Sequence, residues 1–324
     1  MNEVRIPAFA KINVRLDVLG KRPDGFHELR TIFQSISLHD DLVVRRARGK
    51  KISLRVEGNA ALSTEPMEKN LVYRAVDLLR HEFRLNTGVE ITLRKKVPAG
   101  RGLGGGSSDA AAALLGFLRL TGKKLEAARL MELASYLGAD VPFFLQGGRT
   151  LGVSKGDEIY PLPDVAKQHL LVVSPREIHV PTADAYKWLN APPLYSAPDP
   201  LYPAPNKVRT RKALTKSLNT STIWRFCALC WSAQGIGPLS NFANDFEGPV
   251  FQRHPRLQQI KRVLLQNGAA EASLAGSGSA VFGVFPSPAM ARRAAVRFPH
   301  DQTFVCETIS RDRYLRAVSG ARVR

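Results

Sequence analysis

Alternating apolar and polar residues near the start of the chain predict a β-strand. Between Ala8 and Val18 every even-numbered position is apolar, and the odd-numbered positions from 11 to 17 are polar. Successive side chains of a strand point to opposite faces, so Lys11 and Asn13 share a face. Shorter apolar segments predict further strands at 29–38, 42–46, 52–56, 89–93, 170–173, 272–274 and 280–285.

Other segments carry apolar residues at helical spacing. They predict helices at 70–83, 110–120, 125–137 and 182–190 and around Leu257, Ile260 and Leu264. Gly138 directly follows one of them and is the residue type favoured just past a helix end. Arg22–Gly25 has the composition of a turn.

Length and composition narrow the class of protein. A chain of 324 residues suggests two domains, and we divide it into residues 1–163 and 164–324. With 44% hydrophobic and 23% charged residues, disordered and fibrous classes are excluded. The longest apolar segment, Ala110–Leu118, is too short to span a membrane, and the first 20 residues lack the apolar core of a signal peptide. We therefore expect a cytoplasmic protein.

The charge balance favours anionic partners. The chain has 47 basic and 28 acidic residues, a formal charge of +19, which suits nucleic acids, lipid surfaces and phosphorylated metabolites alike. An irregular basic insertion is expected at 191–240, where six prolines precede a run of lysines and arginines. Its Cys227 and Cys230 form a single C-x-x-C, and without a second pair we interpret them as packed thiols rather than a zinc or redox site.

A glycine-rich segment is the strongest chemical signal. Five of the seven residues from 100 to 106 are glycine, and a predicted helix follows. Uncovered amide groups together with a helix N-terminus make a phosphate site. The alternatives are a flexible loop whose Ser107 or Ser108 caps the helix, and a dinucleotide loop, which would require a strand after the helix. A Walker loop is excluded because its consensus is absent.

Several motifs together resemble one family, the GHMP kinases. Residues 98–109 resemble the ATP-binding motif of that family, and the segments 10–13, 24–29, 138–144 and 274–280 resemble the members that act on 4-diphosphocytidyl-2-C-methyl-D-erythritol. The resemblance implies an α+β fold of two domains, the first like domain 2 of ribosomal protein S5 and the second ferredoxin-like. It also implies ATP-dependent phosphorylation of the substrate's 2-hydroxyl, in non-mevalonate isoprenoid precursor synthesis.

The resemblance implies two catalytic residues. Asp140 has the position of the general base, and Lys11 would pair with it and stabilise the charge that develops during transfer. From the residues alone, Asp140 could instead cap the turn that begins at Val141, and Lys11 could be a solvated lysine on a half-exposed strand. Asn13 would hydrogen-bond the hydroxyl groups of the substrate, although an Asn in a strand needs no function.

The resemblance also implies two binding regions. Phe26, where the family often has Tyr, would stack on cytosine, His27 would bond to it, and Tyr186 would form a second aromatic wall unless it belongs to the core. ATP would be bound by a set of residues from two loops, although a tight turn would explain the second loop as well. These residues are Pro98, Ala99, Gly100, Arg101, Gly102, Leu103, Gly104, Gly105, Gly106, Ser107 and Ser108, with Gly276, Ser277 and Gly278.

The motifs contain no pair of carboxylates, so they do not predict a metal site formed by protein side chains. We expect Mg²⁺ to accompany ATP and to be held mainly by phosphates, with a hydroxyl such as that of Ser108 as a candidate. The expected partner is a small molecule that carries a cytidine diphosphate group, bound by a monomer or homodimer. The rival functions are nucleic-acid binding through the basic run at 207–225 and the arginines near the C-terminus, and phosphorylation of homoserine, mevalonate or galactose.

Overall fold

The computed structural model describes residues 2–194 and 242–320 and contains two β-sheets. The first sheet is built on two long antiparallel strands, β1 (Glu3–Lys21) and β2 (His27–Ala47). Its strand order is β3-β4-β2-β1-β8, and β5 pairs with the first part of β2 and with β6. The added strands are β3 (Ile52–Glu57), β4 (Gly88–Arg94), β5 (Arg149–Ser154), β6 (Glu158–Pro161) and β8 (Ala243–Asn244).

Helices from the first half of the chain pack on one face of this sheet. They are α1 (Ala60–Thr64), α2 (Leu71–Glu82), α3 (Gly105–Thr121), α4 (Ala127–Leu137) and α5 (Val141–Gln146), and a 3₁₀ turn covers Met67–Lys69. The central helix α3 is almost wholly buried, with alanines that allow close approach to β1 and β2. Its burial fixes the position of its N-terminus, which is the end nearest the glycine-rich segment.

The second sheet consists of β7 (His169–Ser174), β9 (Glu271–Leu274), β10 (Val281–Phe285) and β11 (Gln302–Glu307). All its pairings are antiparallel, in the order β11-β7-β10-β9. The helices α6 (Thr182–Leu189), α7 (Glu247–Arg253) and α8 (Pro255–Gln266) follow β7, and α9 (Pro288–Ala295) follows β10. This β-α-β-β-α-β order is ferredoxin-like, so the predicted α+β fold is confirmed.

The two sheets meet through a shared apolar layer. Ala10 and Ile12 of β1 belong to one buried apolar cluster with Leu103 and with Val172 and Phe282 of the second sheet. The middle of β1 is therefore covered on both faces, by α3 on one side and by the second sheet on the other. As a consequence, polar side chains in the middle of β1 are buried, contrary to the half-exposed strand that the alternation alone suggested.

The second half of the chain also contributes to the first sheet. The strand β8 pairs with β1, and the last helix, α10 (Arg311–Ser319), packs its Tyr314 and Val318 into the core under α3. The Tyr314 hydroxyl donates to the carbonyl of Phe144 at 2.6 Å. The strands change from the first sheet to the second between Pro161 and His169, and the division at residue 163 stays a prediction.

Several predicted boundaries differ from the structure, and two of these differences are the most informative. The strands expected at 29–38 and 42–46 are one strand, because the polar residues between them include Asp40, which is completely buried and paired. The helix expected from Ala110 begins five residues earlier, at Gly105, so the last glycines of the loop form its first turn. The apolar spacing missed α1, α5, α7, α9 and α10, which are only five to nine residues long.

Part of the predicted organisation lies outside the described residues. This applies to positions 195–240 of the predicted insertion, to Cys227 and Cys230, and to the basic run at 207–225. Cys306 is buried as a free thiol. In the described portion of the chain, no helix has the length and apolar character needed to cross a bilayer.

Candidate active site

A cavity of about 960 Å³ lies where the two sheets and the glycine-rich segment meet. It is lined by β1, by the start of β2, by the segment before α3 and by the first turn of α6. Gly276 and Ser277, in the turn between β9 and β10, complete it from the second sheet. The cavity therefore brings together segments that are far apart in sequence.

Lys11 and Asp140 face each other in this cavity. The distance between Lys11 Nζ and Asp140 Oδ2 is 3.7 Å, and the lysine side chain is only 5% exposed against 34% for the aspartate. Lys11 Nζ also donates to Asn13 Oδ1 at 2.7 Å, and Asn13 Nδ2 donates to Thr31 Oγ1 at 2.8 Å. Burial lowers the pKa of Lys11, and the Asp140 carboxylate opposes that shift. Lys11 is thus a buried, fixed cation rather than a solvated surface lysine.

Asp140 occupies the N-cap position of α5 without capping it. Its side chain makes no hydrogen bond to the first turn, and Pro142 occupies one of the first two helical positions there. The carboxylate is directed toward Lys11 and lines the cavity. The capping interpretation of Asp140 is therefore wrong, and its carboxylate is available to a ligand.

The glycine-rich segment is shaped by close contacts between main chains. Gly102 has φ +78°, and a Cβ there would lie 1.7 Å from the carbonyl oxygen of Ala275. Ala280 N–H donates to the Arg101 carbonyl at 3.2 Å, and Lys11 N–H donates to the Leu103 carbonyl at 3.0 Å. Only glycine at 102 allows the loop to approach the β9–β10 turn so closely. The loop is therefore held against both sheets, and an ordered element replaces the flexible loop that composition alone allowed.

The first turn of α3 opens into the cavity. Gly105, Gly106 and Ser107 line it, and their amide groups lie at the helix end where no intrahelical acceptor exists. A Cβ built on Gly106 would have Leu71 Cδ1, at 3.9 Å, as its nearest neighbour, so this side of the turn is open. Amide groups at an open helix N-terminus are suited to bind an anion.

Most of the predicted ATP-binding residues line the cavity, and four do not. Pro98, Gly100, Arg101, Gly102, Gly104–Ser107, Gly276 and Ser277 line it, whereas Ala99, Leu103, Ser108 and Gly278 do not. Leu103 belongs to the apolar layer between the sheets. Ser108 is on the buried side of α3, and its hydroxyl has no hydrogen-bond partner. The Ser108 hydroxyl therefore does not line the cavity, and its expected contact with a phosphate or its metal ion stays a prediction.

Aromatic side chains form the other end of the cavity. The rings of His27 and Tyr186 stack with 4.4 Å between centroids, and Tyr186 makes an edge contact with Phe246 at 4.9 Å. Burial lowers the pKa of His27, with a contribution from Lys21. Burial, with a contribution from Asp140, raises the pKa of the Tyr186 hydroxyl. Near neutral pH, His27 is thus a neutral ring and Tyr186 a protonated phenol.

Phe26 lies at the entrance and is 56% exposed. The Lys155 ammonium lies 5.0 Å from the centre of its ring. Lys155 lines the cavity together with Lys21 and Lys187, and none of these lysines was predicted. No motif marked them, although Ser154-Lys155-Gly156 has a turn-like composition that could have drawn attention to a loop beside the strand.

Two family models match the chain. Residues 70–148 match the GHMP kinases N terminal domain, and residues 232–301 match the GHMP kinases C terminal domain. A 4-diphosphocytidyl-2-C-methyl-D-erythritol kinase from Solibacter usitatus is 42% identical over 95% of this chain and 89% of its own. A second such kinase, from Pelotomaculum thermopropionicum, is 38% identical over 90% of this chain and 92% of its own.

Solved structures show the same relationship. A crystal structure of 4-(cytidine 5'-diphospho)-2C-methyl-D-erythritol kinase aligns with a TM-score of 0.69 and 32% identity, over 94% of this chain and 99% of the other. A homoserine kinase from Cytophaga hutchinsonii aligns with a TM-score of 0.65 and 20% identity over 96% and 95%, which shows a shared fold. Given the identity and coverage of the sequence relatives, the chain belongs to the 4-diphosphocytidyl-2-C-methyl-D-erythritol kinase family of GHMP kinases.

Proposed function

We propose that this protein transfers the γ-phosphoryl group of ATP to the 2-hydroxyl of 4-diphosphocytidyl-2-C-methyl-D-erythritol, giving the 2-phosphate and ADP. The observation that carries the proposal is the position of the Lys11–Asp140 pair between a glycine-lined helix N-terminus and an aromatic subsite, all in one cavity. The membership of the chain in the kinase family supports the same reaction.

The two ends of the cavity suit the two substrates. Amide groups of Gly105 to Ser107 would bind the phosphate oxygens of ATP, and Gly276 and Ser277 would close over them from the second sheet. The His27 and Tyr186 rings would bind the cytosine base, with Phe26 stacking at the entrance. Lys21, Lys155 and Lys187 add positive charge to the same cavity, which suits the diphosphate of the acceptor.

Asp140 would act as the general base in the transfer. It takes the proton of the 2-hydroxyl while the hydroxyl oxygen forms a bond to the γ-phosphorus, and the bond from that phosphorus to the bridging oxygen of ADP breaks. Lys11 stays protonated beside it and stabilises the negative charge on the transferred group. Asn13, fixed by Thr31, keeps the ammonium of Lys11 in place.

We propose that Mg²⁺ enters with ATP and is held mainly by phosphate oxygens, as is usual for this ion in phosphoryl transfer. Within residues 2–194 and 242–320, no group of three or more His, Cys, Asp or Glu side chains is arranged to hold a metal. Bound Mg²⁺ supplies charge neutralisation on the phosphates. The cytoplasmic location and the monomeric or homodimeric state expected from the sequence remain part of this proposal.

A substrate panel with ATP tests the reaction. ADP formation would be measured with the cytidylyl methylerythritol compound, mevalonate, homoserine and galactose, and the phosphorylated position read by phosphorus NMR. We expect turnover with the cytidylyl compound alone and a phosphate on its 2-oxygen. Faster turnover of mevalonate, homoserine or galactose would overturn the assigned substrate, and salt-sensitive oligonucleotide binding without turnover would favour the nucleic-acid alternative.

A further inference from the structure

A buried cluster of three charged side chains lies directly behind the glycine-rich segment. Lys95 Nζ donates to Asp40 Oδ2 at 2.5 Å and to Asp109 Oδ2 at 2.7 Å. The exposed fractions of these side chains are 3% for Lys95, 0% for Asp40 and 4% for Asp109. None of the three lines the cavity, and the reaction described above uses none of them.

The cluster joins the two ends of the glycine-rich segment. Asp40, from β2, accepts hydrogen bonds from the amide groups of Lys96 and Val97, the residues just before Pro98. Asp109 belongs to α3, which begins at the other end of the segment. A Cβ built on Gly105 would lie 3.3 Å from Lys95 Nζ, so the first residue of the helix rests on the ammonium group. One cation thus fixes where the loop starts and where the helix begins.

The charges of the cluster do not balance when all three groups are ionised. Two carboxylates share one ammonium, so the fully ionised cluster would hold a net negative charge in a site that is closed to solvent. One oxygen of Asp109, Oδ1, is buried without a partner. Burial raises the pKa of Asp109 well above its ordinary range, against the effect of Lys95.

The elements packed around Asp109 supply no other buried charge to the cluster. The buried residues of α2, α4 and α5 are all apolar. Lys11, the buried cation of β1, pairs with Asp140 on the cavity side. On β2, His39 pairs with Asp41 near the surface, and Lys96 also pairs with Asp41. Among the described residues around it, the cluster is therefore electrically neutral only when one of its carboxyl groups keeps a proton.

We propose that Lys95, Asp40 and Asp109 are positioning residues for the nucleotide, and that the cluster does this while Asp109 keeps a proton. In that state the cluster is neutral, and it orders the amide groups that receive the triphosphate. Loss of the proton would place a net negative charge behind the N-terminus of α3, where it opposes an anionic ligand. The inference rests on the proposed function because it takes ATP as the ligand of the loop.

The experiment is ATP binding by titration calorimetry without acceptor, from about pH 7 to about pH 9, where Asp109 and not an ordinary carboxyl titrates. It compares the wild-type chain with Asp109→Asn, which keeps the shape of the protonated side chain. We expect wild-type affinity to fall about fivefold or more across this range and the affinity of the variant to change less than about twofold. The control is Asp301→Asn, which alters a buried carboxylate paired with Arg256 away from the cavity and should retain the wild-type profile.

Lys95→Met provides a second readout at neutral pH. It should weaken ATP binding about tenfold or more while the KM of the cytidylyl acceptor changes less than about threefold, since the aromatic end is separate. If this variant does not fold, the Asp109→Asn profile alone decides. Identical pH profiles for the wild-type chain and Asp109→Asn would overturn the inference and leave the proposed function intact. A wild-type chain that binds no ATP would overturn both.

Discussion

Two buried lysines lie beside the glycine-rich segment, and they differ in how far carboxylates neutralise their charge. Lys95 is sealed between two carboxylates at 2.5 and 2.7 Å, and Lys11 faces one carboxylate at 3.7 Å that is open to the cavity. Burial lowers the pKa of both groups, but the two partners of Lys95 outweigh that effect and raise its pKa, while the one partner of Lys11 does not. A sealed ion cluster suits a structural role, and an incompletely paired cation suits a site that must receive negative charge.

The largest effect is expected from Asp140→Asn, which removes the proton acceptor on the open side. Turnover should fall about 10²- to 10⁴-fold, because the amide cannot take the hydroxyl proton, while ATP affinity stays within about twofold. Steady-state kinetics and calorimetry would measure the two quantities, with Asp301→Asn as the matched substitution outside the cavity. An unchanged kcat would remove Asp140 from the chemistry.

Next in size is the effect of Lys95→Met on stability. It leaves a buried carboxylate without its cation, so the free energy of unfolding should fall by about 3–5 kcal/mol. Lys11→Met should change that free energy by about 1 kcal/mol or less, because Asp140 is partly solvated and Lys11 loses its own burial cost. Urea unfolding of both variants would compare them. Equal losses of unfolding free energy in the two variants would contradict the distinction between a sealed and an incompletely paired lysine.

These two lysines also show where sequence analysis succeeds and where it stops. Lys11 was found because a family motif surrounds it, although alternation alone described an ordinary surface lysine. The fold was predicted for the same reason, since the family motifs are spread over much of the chain. Lys95 and Asp40 are 55 positions apart and carry no motif signal, and only the pairing of β2 with β4 brings them together. Ser108 shows the opposite case, because the motif includes it but the structure buries it, and its predicted contact stays untested.

A smaller effect is expected at the aromatic end, where His27→Ala removes a stacked ring and the hydrogen bonds proposed to the base. The KM of the cytidylyl substrate should rise about tenfold, and the KM of ATP should change less than about twofold. Initial-rate kinetics with each substrate varied in turn would measure this. His81→Ala, at an exposed position on α2, is the control and should leave both constants unchanged. Equal increases in the two constants would argue against the assigned base pocket.

A further effect is a change in stability with pH. The pKa of Asp109 is raised in the folded chain, so the folded state keeps a proton that the unfolded chain loses above about pH 4. This contribution to stability is present at low pH and declines as the pH rises toward the raised value. The stability of Asp109→Asn relative to the wild-type chain should therefore increase with pH, as measured by denaturant midpoints. A difference that does not vary with pH would show that Asp109 does not titrate in this way.

The most direct test of the contrast between the two lysines compares Lys11→Met with Lys95→Met. For each variant, two quantities are measured: the rate of phosphoryl transfer in a single turnover at saturating ATP, and the dissociation constant of ATP. We predict that Lys11→Met lowers the transfer rate about 10²-fold or more with ATP affinity within about threefold of wild type. Lys95→Met should weaken ATP binding about tenfold or more and lower the transfer rate far less. If both variants changed the same quantity to the same extent, the division between a chemical lysine and a positioning lysine would be contradicted.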